Sequence, residues 1–201
     1  RKLNVGLDMH FFNNRLTITA DAFHEYRFDI ITNLVGAKLS YPEYIGADAS
    51  YVNAGEVKNR GIDLEIGWQD RIGKDFSYYI RPNFTFARNE IVYSAELPVG
   101  YVYNQETGKR MGEHYVYVFD HFVKDQAEAD WLNSTGYQSW GTLIPGDCVY
   151  RDLNRDGLID DNDRTVAGNP QFPEIQFGIP IGFQYKNFDF SMLWQGAAIC
   201  D

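Results

Sequence analysis

The chain has 201 residues, a formal net charge of −10 and a sequence pI of about 4.8. An acidic balance of this size excludes nucleic acid as the partner, because phosphate binding needs a basic face. With 14 Tyr, 14 Phe and 18 Gly, the composition suits strands and turns better than helices, and the length fits one sizeable all-β domain or part of a larger one. No run of 18 apolar residues exists, so no transmembrane helix is expected, and no signal peptide is visible. The chain opens at Arg1 inside a patterned segment, as a piece of something longer would. Cys148 and Cys200 lie far apart, fit no CxxC pattern and read as two unrelated thiols.

Period-two alternation recurs along the chain. It predicts strands with one apolar and one polar face. The first, 3–12, sets Leu3, Val5, Leu7, Met9 and Phe11 against Asn4, Gly6, Asp8 and His10. The second, 16–31, sets Leu16, Ile18, Ala20 and Ala22 against Thr17, Thr19 and Asp21. In the third, 56–71, Ile62, Leu64, Ile66 and Trp68 oppose Asp63, Glu65, Gly67 and Gln69. The fourth, 76–93, carries Phe76, Tyr78, Ile80, Phe84 and Phe86 against Ser77, Arg81, Asn83 and Thr85. The fifth and sixth, 174–186 and 188–197, alternate from Ile175 to Tyr185 and from Phe188 to Trp194. Pro82 and Pro180 each remove a ladder bond, which predicts bulges there or positions beyond a membrane-embedded band.

The connections alternate as well. Short turns join the strand pairs at Asn13-Asn14-Arg15, Gly73-Lys74-Asp75 and Lys186-Asn187. Long connections, about 32–55 and 94–174, lie between the pairs. Membrane barrels show this asymmetry, with tight turns on one rim and long loops on the other. Aromatics gather beside the short turns (Phe11, Phe12, Trp68, Phe76, Tyr78, Tyr79, Tyr185 and Phe188), as in an interfacial girdle. Six strands cannot close a membrane barrel, so any remaining strands belong to sequence outside this chain.

The stretch 94–173 reads as an inserted loop. From Ser94 to Glu174 there are 14 acidic and 6 basic residues, most of the net charge. Lys124 to Leu132 predicts a short helix, favoured by its Ala and Glu. Trp131, Trp140, Tyr101, Tyr103, Tyr115 and Tyr117 are candidate sugar-stacking platforms, and packing of the loop's own small core is the favoured reading for each. Residues 152–163 place oxygen side chains at calcium-loop positions: Asp152, Asn154, Asp156, Asp160 and Asp163 are candidate ligands, with the Leu158 backbone carbonyl between them and Gly157 at the sharp turn. The alternative is an acidic, turn-rich loop that is merely solvated. No amphipathic helix flanks the loop, so a structural staple is expected rather than a sensor.

An enzyme is not expected. Asp160 and Asp161 are adjacent and diverge on an extended chain, His114 and His121 fit no metalloprotease spacing, and no nucleophile elbow or phosphate loop occurs.

Several motifs together resemble the C-terminal part of SusC/RagA-type transporters, TonB-dependent outer-membrane proteins of Bacteroidetes-type bacteria. They are Gly141 to Asp147, Tyr150 to Asp160, and Asp163 to Pro170. Val5-Gly6-Leu7-Asp8 with Phe12-Asn13-Asn14-Arg15-Leu16 matches a family hairpin, and Asn53 to Glu65 a family strand. Tyr185 to Phe190 and Gln195-Gly196 continue the match, which runs in order over essentially the whole chain. The resemblance implies a 22-stranded barrel around an N-terminal plug, energy from TonB, a SusD-type surface lipoprotein as lid, and glycan or oligopeptide cargo. It places residues 1–201 in the barrel wall in contact with outer-membrane lipid, with 94–173 outside the cell. The competing expectation is a soluble, secreted, calcium-stabilised β-sandwich serving as a carbohydrate-binding or adhesion module. In a barrel the apolar face meets lipid; in a sandwich it forms the core.

Overall fold

The computed structural model describes residues 1–33, 51–96, 101–138 and 140–201. Its elements run β1 (Lys2–Phe11), β2 (Leu16–Asn33), β3 (Tyr51–Ile72), β4 (Phe76–Ile80), β5 (Asn83–Tyr93), β6 (His114–Tyr117), β7 (Phe119–Phe122), α1 (Gln126–Thr135), β8 (Cys148–Tyr150), β9 (Arg164–Ala167), β10 (Ile175–Tyr185) and β11 (Phe188–Ala198). One large sheet follows the chain: β1 pairs β2, β2 pairs β3, β3 pairs β4 and β5, these pair β10, and β10 pairs β11, all antiparallel. Two small ladders, β6 with β9 and β7 with β8, belong to the insertion. The connection at 34–50 lies outside the described residues.

β4 and β5 are one strand in a single register. Trp68 faces Ile80 and Glu65 faces Asn83 across β3, while Ile181 faces Ile80 and Gly178 faces Asn83 across β10. The interruption at Arg81-Pro82 is therefore no bulge, and Pro180 sits in register opposite Leu193. Each proline still supplies its carbonyl, to Ile66 N at 3.0 Å from Pro82 and to Arg81 N at 3.0 Å from Pro180. Each lacks the reciprocal N–H, so two ladder bonds are missing at one level of the sheet. The true register shifts lie elsewhere, between Arg27 and Ile31, where Asp29 has φ 56°, and between Glu56 and Val57.

Directly opposed residues share a face, so the register assigns both faces. One carries the rows Val5, Ala22, Ile62, Phe86, Ile175 and Leu7, Ala20, Leu64, Phe84, Phe177. The other carries Gly6, Asp21, Asp63, Thr85, Gln176 and Asp8, Thr19, Glu65, Asn83, Gly178. On β10 the apolar face is unbroken over its 11 residues. At a rise of ~3.4 Å per residue and the 35–45° tilt that strands take in outer-membrane barrels, that would span ~25 Å, the height of an outer-membrane apolar band.

The aromatic cluster by the short turns forms on this face. Phe183 stacks on Phe190 at 5.4 Å and meets Phe188 at 6.0 Å and Phe76 at 6.1 Å, and Phe12 meets Trp68 edge-on at 6.3 Å. Tyr79 departs from the expected girdle. It pairs with Gln69 and Gly182 on the polar face, with its ring lying over Gly182.

Nothing among the described residues covers the apolar face. Leu3 is 64% exposed, Ile62 47% and Trp194 62%. The main buried cluster is small and sits in the insertion: Val123, Ala129, Leu132, Leu143 and Val149, with Tyr137 against it. A β-sandwich needs a second layer over its apolar face, and the sheet has none here, so the sandwich expectation fails. Strand lengths agree, since β2 has 18 residues and β3 22, against the ~5–6 usual in soluble sheets.

Candidate functional site: the insertion between β5 and β10

The insertion is built around α1. Asp125 caps it by accepting from Glu128 N at 2.9 Å, and Gly136 ends it in a left-handed turn at φ 67°. Its inner face buries Ala129 and Leu132. Each large aliphatic in that cluster contributes about 2 kcal/mol. Asn133 ties the helix to the following loop, donating to Leu143 O at 2.9 Å and accepting from Leu143 N at 2.8 Å. Tyr137 OH donates to Tyr150 O at 2.9 Å and its carbonyl accepts from Ile159 N at 2.6 Å, linking helix, β8 and the acidic loop.

Glu174 anchors the insertion to the sheet. It is 5% exposed and accepts from Arg88 Nε at 2.9 Å on both oxygens and from Arg110 Nη1 at 3.2 Å. Arg110 also donates to Glu113 at 2.6 Å, so segment 110–113, β5 and the start of β10 meet at one carboxylate. Farther out, Glu96 accepts from Thr107 N at 3.0 Å and Thr107 Oγ1 at 2.7 Å. Burial opposes the charge of Glu96, but these donors and Glu106 N outweigh it and hold the carboxyl below the usual range. Glu106 shifts upward, through burial and then the charge of Glu96. The Tyr115 hydroxyl is pushed up to about 12 by burial and the carboxylates of Glu106, Glu113 and Glu96.

The six residues expected to hold calcium divide into two turns. Asp152 accepts from Gly157 N at 2.7 Å and Asp156 N at 3.2 Å. Asp156 N donates to Asn154 Oδ1 at 3.0 Å, Asn154 Nδ2 donates to Asp156 Oδ2 at 2.8 Å, and Asp156 Oδ1 accepts from Leu158 N at 2.9 Å. Gly157 has φ +88°, the conformation glycine adopts without strain. Asp160 caps a short 3₁₀ turn at 161–163 by accepting from Asn162 N at 2.7 Å. Asp163, fully buried, spans both turns: it accepts from Leu153 N at 2.7 Å, Asn154 N at 3.3 Å and Asp160 N at 2.9 Å. Among the described residues no three His, Cys, Asp or Glu side chains are gathered as a ready-made metal cage. The Tyr103 hydroxyl beside this loop is buried without a hydrogen-bond partner. Burial, then the charges of Asp163, Asp152 and Asp156, raise its pKa.

None of the six candidate platform aromatics joins the small core. Tyr101 and Tyr103 stack on each other at 5.3 Å, and Tyr117 and Trp140 meet at 4.8 Å with Tyr150 beside both. Trp131 and Trp140 are exposed. Aliphatic residues fill that core instead; Tyr101 is exposed with the two tryptophans, whereas Tyr103, Tyr115 and Tyr117 are half-buried elsewhere in the insertion. Sequence reasoning missed Glu174 as an anchor. Its signal was weak, a lone acid ahead of an apolar strand. His121 holds Asp120 at 2.7 Å and Glu128 at 3.1 Å, and both raise its pKa. Cys148 and Cys200 are free thiols, as expected. Among the described residues no helix is long and apolar enough to cross a membrane.

Comparison with known proteins completes the picture. The family described as "TonB dependent receptor-like, beta-barrel" matches residues 1–197. In sequence the chain is 26% identical to TonB-dependent receptor P3 of Formosa agariphila, over 98% of this chain and 20% of that protein. It is 27% identical to TonB-dependent receptor SusC of Bacteroides thetaiotaomicron, over 94% of this chain and 18% of that protein. In fold it is similar to the RagAB peptide importer in its closed-closed state, with a TM-score of 0.65 at 20% identity over 99% of this chain and 21% of that one. The open-open state gives a TM-score of 0.66. The chain spans about a fifth of the length of these relatives. With an uncovered apolar face of membrane height, an alternating polar face and a family match over nearly its whole length, the chain belongs to the TonB-dependent receptor β-barrel family.

Proposed function

We propose that this chain forms part of the barrel wall of an outer-membrane transporter that imports glycans or oligopeptides, driven by TonB and lidded by a SusD-type surface lipoprotein. The observation that carries the reading is the uncovered apolar face, ~25 Å tall, set back to back with a polar face bearing Asp8, Asp21, Asp63 and Glu65. The apolar face meets lipid and the polar face lines the lumen. On this reading the insertion faces outward and presents Trp131, Trp140, Phe119 and Phe122 to partner or cargo. The test is uptake of labelled oligosaccharides and oligopeptides by cells carrying the full-length protein. TonB-dependent uptake of one class, lost when the partner lipoprotein is deleted, supports the proposal. Uptake unchanged by removing either the protein or TonB refutes it.

We further propose that residues 152–163 take a calcium ion as a staple. The alternating oxygens and the orphaned Tyr103 hydroxyl support this reading. An ion there would use lone pairs left free by the N–H bonds to Asp152, Asn154, Asp156, Asp160 and Asp163, with the Leu158 carbonyl. Titration calorimetry on the full-length transporter and on Asp156→Ala tests it. Binding lost in the variant supports the staple; no binding by the parent leaves a turn folded by its own hydrogen bonds.

A further inference from the structure

The charge of the apolar face changes at one level. The row Ala22, Ile62, Phe86, Ile175 is wholly apolar, and the next row toward the long connections is His24, Arg60 and Arg88, directly opposed across three strands. Like charges opposed on adjacent strands destabilise a sheet unless an anion offsets them. Around the row the charges are matched within the protein. Lys58 pairs Glu90 at 2.6 Å, Tyr26 OH donates to Glu56, and Arg88 is held by Glu174. Arg60 and His24 differ: both are exposed, and among the described residues neither side chain has a hydrogen bond or ion pair. Just beyond them Tyr26 stacks on Phe28 at 6.2 Å and the Arg1 guanidinium lies over Phe28 at 5.6 Å, an aromatic cluster of the kind found at a membrane interface.

We propose that Arg60, with His24 beside it, binds the phosphate of a phosphorylated glycolipid headgroup in the outer leaflet, whose acyl chains lie along Ala22, Ile62 and Phe86. This rests on the proposed function, which puts the apolar face in lipid and the long connections outside the cell. A guanidinium suits the role because its planar fork meets two phosphate oxygens at once. Its position is where a lipid phosphate would sit, one residue pair above the end of the ~25 Å apolar band.

The test is native mass spectrometry of the full-length transporter in detergent with diphosphoryl lipid A, dephosphorylated lipid A and inorganic phosphate as probes. The parent should retain diphosphoryl lipid A at least about fivefold better than Arg60→Gln, from the loss of one interfacial cation. Arg60→Lys should retain most of the binding, and His24→Gln should lose part of it. Heat-modifiable migration on gels confirms that each variant keeps its barrel, and His24→Gln carries the test if Arg60→Gln does not fold. Equal retention by parent and folded variants overturns the proposal. So does equal binding of the dephosphorylated lipid, or displacement of lipid A by inorganic phosphate alone. A full-length protein that stays monodisperse without detergent overturns the barrel reading itself, on a readout independent of lipid A.

Discussion

Asp163→Ala should unlatch the acidic loop whether or not metal is present. The side chain is wholly buried and its two oxygens accept three backbone N–H groups, from Leu153 at 2.7 Å, Asn154 at 3.3 Å and Asp160 at 2.9 Å. Alanine leaves all three donors without acceptor. Two of the bonds are short, and a bond to a charged acceptor is worth about 2 kcal/mol, so the local cost is about 4 kcal/mol. Where amides exchange through local opening, that corresponds to about a thousandfold faster exchange. Hydrogen exchange of the full-length transporter in detergent, with chelator added, should show it in peptides covering 148–167. Asp163→Asn keeps one acceptor oxygen and should fall between the two. Asp156→Ala, at an exposed position, should change exchange little under the same conditions. Less than about tenfold acceleration in Asp163→Ala would refute the view that this carboxylate, through N–H acceptance, holds the loop together.

Glu174→Gln should loosen segment 110–113 against the sheet, because Arg88 and Arg110 lose their shared carboxylate. With Arg88 42% exposed, the cost is discounted to about 1–3 kcal/mol, read as faster exchange in that segment with the strands unaffected. His121 responds to pH. Asp120 and Glu128 raise its folded pKa, so its contribution is complete below the unfolded value near 6.5 and fades as pH rises through the folded value. Protection of the first turn of α1 should therefore fall as pH rises above about 6.5, and His121→Asn should flatten that profile. Gly61→Ala should impair barrel assembly more than Gly182→Ala. A Cβ at Gly61 meets the Phe86 carbonyl as well as the Phe23 ring, whereas at Gly182 it meets only the Tyr79 ring at 2.5 Å, which can turn aside. Heat-modifiable migration of the two variants compares them.

The six long strands were legible because alternation, turn residues and strand length all reported the same constraint, one apolar face beside one polar face. Residues such as Ile62 and Asp63 carry it in adjacent positions. The prolines were misleading because sequence shows the missing N–H of Pro82 and Pro180 but not that both fall at one level, where the register absorbs them. Tyr79 was grouped with the girdle by proximity to a turn, although its odd position in β4 puts it over Gly182. The insertion was less legible. Its two small ladders have strands of only three or four residues, too short for periodicity to speak, and Asp163 has the same type and spacing whether it binds an ion or three N–H groups. The helix at 126–135 was visible through its composition, and the core beneath it only through long-range contacts to Val123, Leu143 and Val149.

The central claim is that one face of this sheet meets lipid and the other water. It is tested most directly by single spin labels at Ile62→Cys, Asp63→Cys, Leu64→Cys, Glu65→Cys and Ile66→Cys. The labels go into the full-length transporter, with Cys148 and Cys200 replaced by Ser, reconstituted in bilayers. Collision with oxygen, which concentrates in lipid, should be high at 62, 64 and 66, and collision with a water-soluble nickel chelate should be high at 63 and 65. Uniform access of the nickel chelate to all five positions would contradict the account.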